Sequence, residues 1–478
     1  MKVVLVRPPT VMGEMAQSAL QHPLNLLYLA AVLEDHGCDV SVWDLEVEPC
    51  IPESIEDRLL DERPAILGFT AMTPHINWVG ETAEEAKRVL PEVLTIVGGP
   101  HASALPERTL EEFPAIDAVV FGEGELTLCE VIDRVSRGDS LRSVSGLAHR
   151  ANGEIVRETH RPMIEELNSL PFPARHLLRL DAYSAAAVPG LSQDFLRITQ
   201  ILTSRGCPYG CTFCASHHTL GRKLRLRSAQ NVIEEVRTCR DRFGFDHFSI
   251  SDDQFTMDRE RTRALLQGFR DLGVSWDCDA RVDLVDGDLL REMAESGCSK
   301  VGFGVEAGSP RILNLLRKGI TVDQAETAFG EARRAGLMTA AYFMIGSHPL
   351  ETEQDVWASI DLAKRLRADF ATFSVAVPLP GTSLYEMMRE EDLITATDWR
   401  RFSYYHGTPA WSTVEISAER LVELQRRALR SFFFSPGYIL GKVGRLTKRG
   451  QWKYWLKGGI ALLRYLWRER SRGRGSPH

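Results

Sequence analysis

No stretch of this 478-residue chain approaches the roughly 18 consecutive apolar residues of a membrane-spanning helix, so none is expected. Positive charge is not in surplus either. A formal net charge of −8 argues against general nucleic-acid binding, which needs a basic face to neutralise phosphates. Nine cysteines, an odd number, make no small-domain disulfide framework and fit a reducing compartment. The apolar run after Met1 is too short for a secretory core and leads straight into a strand pattern, which predicts a cytoplasmic protein. No catalytic triad can be named. What is present, 44% hydrophobic and 26% charged residues, reads as globular, and the length requires at least two domains.

Chemistry is concentrated in one stretch, Ser204-Arg-Gly-Cys207-Pro-Tyr-Gly-Cys211-Thr-Phe-Cys214. Three cysteines on a glycine-rich loop can converge on one iron-sulfur cluster, because Gly206 and Gly210 let the backbone fold back and Pro208 stiffens the turn. Three thiolates leave one iron of a cubane without a protein ligand, and an open metal site signals chemistry. The alternatives are a zinc site or unrelated buried thiols. The remaining cysteines, Cys38, Cys50, Cys129, Cys239, Cys278 and Cys298, are scattered and read as packing residues.

Upstream, residues 2–6, 40–43, 66–69, 94–97 and 118–121 are short strand-like runs separated by helical patterns, notably at 24–36, 78–89 and 105–113. This alternation predicts a doubly wound parallel sheet, which binds ligands over the carboxyl ends of its strands. Those ends carry Arg7-Pro8-Pro9, Thr70-Ala-Met72-Thr73, Gly98-Gly99-Pro100-His101 and Gly122-Glu123-Gly124-Glu125. Pattern alone also allows a flavodoxin-like response module or a nucleotide site. Residues 141–195 lose the rhythm and read as a linker containing a hairpin. Six further βα units follow, with strands at 198–203, 247–251, 274–278, 300–304, 339–345 and 371–377, predicting a partial (βα)6 barrel. Catalytic groups in such barrels come from the C-terminal strand ends. Here these ends carry the cysteine loop, Asp252-Asp253, Arg281, Glu306, Gly346 and Pro378-Leu-Pro-Gly381-Thr382.

The spacing Cys207-x3-Cys211-x-Phe213-Cys214 resembles the signature of the radical S-adenosylmethionine (SAM) superfamily. The resemblance implies a [4Fe-4S] cluster on Cys207, Cys211 and Cys214 whose open iron is chelated by SAM, and whose electron splits SAM to a 5′-deoxyadenosyl radical. It places Phe213 near the adenine, Glu306 on the ribose diol, Asp252 and Asp253 toward the amino group of SAM, and Arg281, Gly304 and Gly346 around the same ligand. A helix cap for either aspartate and a buried Glu306–Arg281 ion pair stay open as alternatives. Gly346-Ser-His348-Pro-Leu-Glu-Thr352 departs from the family's Gly-x-Pro-Gly-Glu-Thr, leaving His348 as a surface residue or a substrate contact.

Residues 1–140, through Pro23 to Leu33, Gly98 to His101 and Gly122 to Glu125, resemble the cobalamin-binding domain that precedes the radical SAM domain in the B12-dependent branch. The resemblance implies cobalamin held near Pro8, Pro9, Thr70, Met72, Thr73, Gly98, Gly99, His101, Gly122, Glu123, Gly124 and Glu125. No Asp-x-His-x-x-Gly occurs, so a lower histidine ligand to cobalt is not expected. His101 is a conceivable substitute, or it bonds the cofactor periphery or its own backbone. Glu123 and Glu125 accept from ligand amides or cap the next helix. Cys38, Cys50 and Cys129 lack the spacing of the second cluster of methylthiotransferases.

The domain plan is therefore 1–140, a linker at 141–195, a barrel at 196–400 and a helical extension at 401–478. Tyr404-Tyr405-His406-Gly407 either packs its tyrosines in the core or closes over the barrel mouth. The extension ends in a basic aromatic tail, Lys442 to Arg474 with Trp452, Trp455 and Trp467, suited to the interface of an anionic membrane or to packing on the barrel. The implied activity is methylation of an unactivated carbon of a small-molecule or lipid-like substrate. It would use two SAM molecules per turn and an external electron donor such as flavodoxin or ferredoxin. The rivals are cyclisation or oxidative rearrangement with the same cofactors, and a non-catalytic cobalamin and iron-sulfur sensor.

Overall fold

The computed structural model describes residues 1–9, 21–47, 52–183, 197–403 and 409–446. The first layer contains β1 (Lys2–Arg7), α1 (Leu24–Asp35), β2 (Asp39–Asp44), α2 (Pro52–Glu62), β3 (Ile66–Thr70), α3 (Ile76–Val89), β4 (Leu94–Gly98), α4 (Pro100–Ala104), α5 (Pro106–Glu112), β5 (Ala118–Val120) and α6 (Glu125–Arg137). Strands β1 to β5 are parallel in the order β2-β1-β3-β4-β5, with Val3 facing Val40 on one side and Ile66 on the other. Both faces of β1 are buried, from Val3 to Val6, which is why its sequence is a continuous apolar run rather than an alternation. The hairpin expected in the linker, β6 (Leu147–Ala151) and β7 (Glu154–Arg157), instead extends this sheet antiparallel from β5. Helix α2 fills the β2–β3 connection, where the alternation predicts a helix without giving it a range.

The second layer begins at β8 (Ile198–Ile201), followed by β9 (Ser204–Arg205), α7 (His217–Leu220), β10 (Arg225–Leu226), α8 (Ala229–Phe243), β11 (His247–Ile250), α9 (Arg259–Leu272), β12 (Ser275–Ala280), α10 (Gly287–Glu295) and β13 (Cys298–Glu306). Then come α11 (Pro310–Leu315), α12 (Val322–Arg334), β14 (Met338–Ile345), α13 (Glu353–Leu366), β15 (Phe370–Val375), α14 (Ser383–Glu390), α15 (Ala418–Phe433) and α16 (Pro436–Leu446). Six parallel strands lie in simple sequence order, β8-β11-β12-β13-β14-β15, an open (βα)6 barrel. Its helices start on side-chain caps: Ser228, Asp258 and Asp286 each accept from the backbone three residues on, and Thr321 and Thr352 complete capping boxes. On β12, Trp276 and Cys278 are packed in the core, while Asp277 and Asp279 alternate with them and bond residues of β11 and β14.

The connector is fastened to both layers, with Ala174 N donating to Leu27 O of α1 at 3.0 Å and the next residue gripping the barrel. Arg175, 1% exposed, donates to Thr199 Oγ1 at 3.1 Å and Gln200 O at 2.7 Å and pairs with Glu235 at 2.8 Å. Helix α15 buries Leu421, Leu424, Ala428 and Phe432 against the β15 edge. Among the described residues no helix is long and apolar enough to cross a membrane. The Tyr404–Gly407 segment and the tail beyond Leu446 lie outside the described residues.

Candidate active site

The cysteine loop leaves β9 at Gly206, whose φ is +90° and where a Cβ would stand 2.3 Å from Lys223 O. No other residue fits there, which is the local reason for Gly before Cys207. Cys207, Cys211 and Cys214 are free, half-buried thiols. Gln254 Nε2 donates to Cys207 Sγ at 3.4 Å, and Thr212 N to Leu316 O at 3.0 Å, fixing the loop on both flanks. Among the described residues no three His, Cys, Asp or Glu side chains gather closely enough for a single metal ion. Three half-buried thiols on one folded-back loop can supply three corners of a cubane.

The carboxylates that sequence placed around the mouth prove to differ. Asp252 is buried, and its oxygens accept from Thr203 N at 2.6 Å, Thr203 Oγ1 at 2.5 Å and Ser204 Oγ at 2.7 Å. It pins the chain just ahead of the cysteine loop and caps no helix. Asp253 is an exposed residue whose carboxyl, hydrogen-bonded to Ser216, is still partly desolvated, which pushes its pKa up. Glu306 sits in the left-handed region at φ +68°, a conformation costly for a residue with a Cβ and characteristic of functional sites. Its ion-pair partner is Lys318 at 2.8 Å rather than Arg281, and its Oε2 takes no partner among the described residues. A Cβ on Gly304 would come within 2.6 Å of Glu306 Oε1 and 3.0 Å of Lys318 Nζ, so the glycine makes room for the pair.

Arg281 faces the loop itself. Its guanidinium lies 3.7 Å from the Tyr209 ring centroid, pairs with Asp283 at 2.9 Å and donates to Lys318 O at 2.8 Å. One layer deeper, Tyr342 OH donates to Asp279 Oδ1 at 2.9 Å across Gly302, where a Cβ would lie 2.1 Å from that oxygen. Phe213 packs against the core. Gly346, at φ +69°, lies under Leu421 of α15. His348 is neither at the surface nor free: it is buried, and its Nδ1 accepts from Leu350 N at 3.1 Å.

On the first sheet, Gly99 has φ +94°, and a Cβ there would meet Ala71 N and Thr70 Oγ1 at 2.9 Å. Around Gly122, at φ +81°, there is open space. Met72 stands 58% exposed at this rim, whereas Thr73 is buried and contacts His101 Nδ1 at 3.4 Å. His101 is itself buried with its ring edge on Trp399, and burial lowers its pKa to about 3, so the imidazole is neutral. Glu123 and Glu125 neither cap α6 nor stay free. Glu123 pairs with Arg205 and Arg225, each at 2.8 Å, and Glu125 pairs with Arg205 at 2.7 Å. Arg205, two residues before Cys207, thus bolts the cysteine loop to the first sheet.

Residues 18–132 match the family described as B12 binding domain, and residues 201–363 match the Radical SAM superfamily. A methyltransferase of Pyrococcus horikoshii, described as uncharacterized, is 35% identical over 453 residues, 93% of this chain and 95% of that one. The chain belongs to the cobalamin-dependent radical SAM family. Cytidylyl-2-hydroxyethylphosphonate methyltransferase of Streptomyces wedmorensis is 30% identical over 455 residues, 85% of each chain. The fold is shared with the radical SAM methyltransferase TsrM from Kitasatospora setae, at TM-score 0.68 and 20% identity over 91% of this chain and 83% of that one.

Membership makes the chain an enzyme that uses SAM, a [4Fe-4S] cluster and cobalamin. The residues present fit these groups: soft thiols on a loop that only glycine permits, the Glu306–Lys318 ion pair cleared by Gly304, and an open rim at Gly122. Sequence reasoning missed Lys318, Arg205, Arg225 and Tyr209. Lys318 stands twelve residues after Glu306, outside any motif. Arg205 and Tyr209 lay inside the cysteine stretch, but their partners are remote in sequence.

Proposed function

We propose that this enzyme methylates an unactivated carbon of a small-molecule or lipid-like substrate at the boundary between the barrel mouth and the first sheet. The observation that carries the reading is the Glu123/Glu125–Arg205 junction, which sets the cysteine loop directly against the strand-end rim of the B12-binding layer. When bound, the cluster with SAM supplies a radical that removes hydrogen from carbon, and cobalamin supplies the methyl group.

The chain's own residues do the holding. Cys207, Cys211 and Cys214 ligate the cluster through three thiolates. Glu306 takes the ribose diol through Oε2 while Lys318 fixes its other oxygen. Asp253, reachable where Asp252 is enclosed, accepts from the amino group of SAM. Phe213 and the Gly346 loop bound the adenine side, and Arg281 stiffens the cluster loop through Tyr209 rather than contacting SAM itself. Pro8, Pro9, Thr70, Met72, Thr73, Gly98, Gly99, His101, Gly122 and Gly124 line the cobalamin rim. The neutral, enclosed His101 supports the rim through Thr73 and Trp399. An external one-electron donor of the flavodoxin or ferredoxin type would supply the electron such a cluster needs.

The test uses anaerobically purified protein loaded with iron, sulfide and cobalamin, with SAM carrying a labelled methyl group. Formation of 5′-deoxyadenosine together with S-adenosylhomocysteine and a product heavier by one methyl is the expected result. Cleavage of SAM with an unmethylated, cyclised or oxidised product would replace methyl transfer by rearrangement. No 5′-deoxyadenosine under reducing conditions would leave a sensor.

A further inference from the structure

Two features of the Glu123/Glu125 junction exceed what docking two layers requires. The first is its location. Arg205 lies in β9 and Arg225 in β10, and these strands pair directly, Arg205 opposite Arg225, as the ribbon from which the cysteine loop hangs. Arg225 also holds the loop's return by donating to Leu220 O at 2.7 Å. Both arginines therefore grip the two ends of the segment that carries Cys207, Cys211 and Cys214.

The second feature is burial. The side chains of Arg205, Arg225, Glu123 and Glu125 are each 6% exposed or less, and Tyr28 of α1 lies 5.1 Å beneath the Arg205 guanidinium. Glu123 has every strong direction filled, with Oε2 also accepting from Ile164 N at 2.7 Å. In a medium of low polarity such a network holds one geometry, and a shift of the carboxylates is passed to the arginines rather than absorbed by water. The carboxylates stand where β5 hands over to α6, Glu123 in the loop beside Gly122 and Glu125 on the first helical residue, where open sheets of this kind receive their ligands.

We propose that Glu123 and Glu125 are positioning residues through which cobalamin at the first sheet sets the geometry of the cluster loop and so tunes the one-electron reduction of the cluster. This rests on the functional reading above. A ligand that orders the Gly122–Glu125 loop fixes the Arg205–Arg225 ribbon and, with it, the thiolate cage. Because coupling between sites is reciprocal, reduction of the cluster changes cobalamin affinity by the same factor.

The experiment is an EPR-monitored reductive titration of the full chain with its cluster, with and without hydroxocobalamin and in the absence of SAM. Wild type is expected to show an approximately tenfold change in the reduction equilibrium on adding cobalamin, ~59 mV for one electron. Glu125→Gln keeps size and an acceptor oxygen but removes the charge. Arg205→Lys keeps the charge but cannot fork to both carboxylates. With iron and cobalamin content unchanged, either variant is expected to lose most of the cobalamin-dependent shift.

A wild type with no shift overturns the proposal, as does a full shift retained in both variants, which would assign it to direct proximity of the cofactors. A chain that takes up the cluster but no cobalamin overturns the functional reading and the proposal with it. Unequal cofactor uptake in one variant leaves the other to decide.

Discussion

The barrel mouth and the rim of the first sheet are both made from the C-terminal ends of parallel strands, yet they differ in what those ends present. The barrel stacks opposite charges over glycines, Glu306 with Lys318 over Gly304, and sets the carboxyl of Asp279 against Tyr342 over Gly302. The rim offers prolines, glycines, threonines, an exposed Met72 and a neutral His101, and its carboxylates reach across to arginines of the other layer. A small zwitterion such as SAM is recognised by fixed counter-charges, whereas a large macrocycle is recognised by shape and room. That difference explains why one half of the site announces itself in motifs and the other does so only by the order of weak ones.

The sharpest way to separate the halves is Cys211→Ala, expected to remove the cluster and lower 5′-deoxyadenosine formation by more than about 10³-fold while cobalamin uptake persists. Iron content and cofactor absorbance check it; loss of both cofactors would mean the halves fold as one unit. Glu306→Gln should weaken SAM binding by roughly 10–100-fold, the worth of a charge-assisted hydrogen bond, with iron unchanged. Equilibrium binding of SAM decides, and unaltered affinity would remove Glu306 from the ribose. On the other side, Gly99→Ala forces a Cβ to 2.9 Å from Ala71 N at φ +94°. It should destabilise the rim by about 1–3 kcal/mol and lower cobalamin occupancy while SAM cleavage continues.

Acid and base should also divide the halves, with opposite signs. Burial lowers the pKa values of His101 and His22 to about 3 and of His75 to about 4, from 6.5. An unfolded chain takes up protons first at these sites, so the stability they contribute is complete above pH 6.5 and falls by roughly 1.4 kcal/mol per unit per histidine as pH drops toward those values. Glu351, after β14, is fully buried with Oε1 unpartnered among the described residues, and burial raises its pKa from 4.5 to about 7. Its contribution is complete below pH 4.5 and is lost as pH rises to 7, about 3 kcal/mol at most. Hydrogen exchange should loosen the first-sheet rim, together with the seam where His22 meets Thr199 and Gln200 of β8, on acidification and the 346–352 loop on going from pH 5 to 7. Glu351→Gln should flatten only the second response; equal exchange in both regions would discard the contrast.

Sequence read most of the strands to within a few residues, because parallel strands covered on both faces are continuous apolar runs bounded by glycine, and helices of the barrel begin on Ser, Thr or Asp caps. It gave α2 no range, and it assigned the β6–β7 hairpin to the linker, since a hairpin's pattern does not say which sheet edge it will extend. The cysteine loop was legible because its three thiols and the glycines that permit their turn are local. Glu306 was legible by resemblance, but its partner was not: Lys318 over Arg281 is a matter of which side chain the barrel curvature brings within reach.

What the sequence by itself determined about this protein is the local part: two sheets built on parallel strands, a three-thiol loop, and strand ends rich in glycine, proline and polar residues. Only the tertiary structure decided that Asp252 holds a strand end while Asp253 faces solvent, that Arg281 grips Tyr209, and that Glu123 and Glu125 bind the cysteine loop across some 80 to 100 residues of chain. The reason is physical. Backbone preferences and hydrophobic period act between near neighbours, whereas a buried carboxylate takes whichever cation the packing leaves beside it.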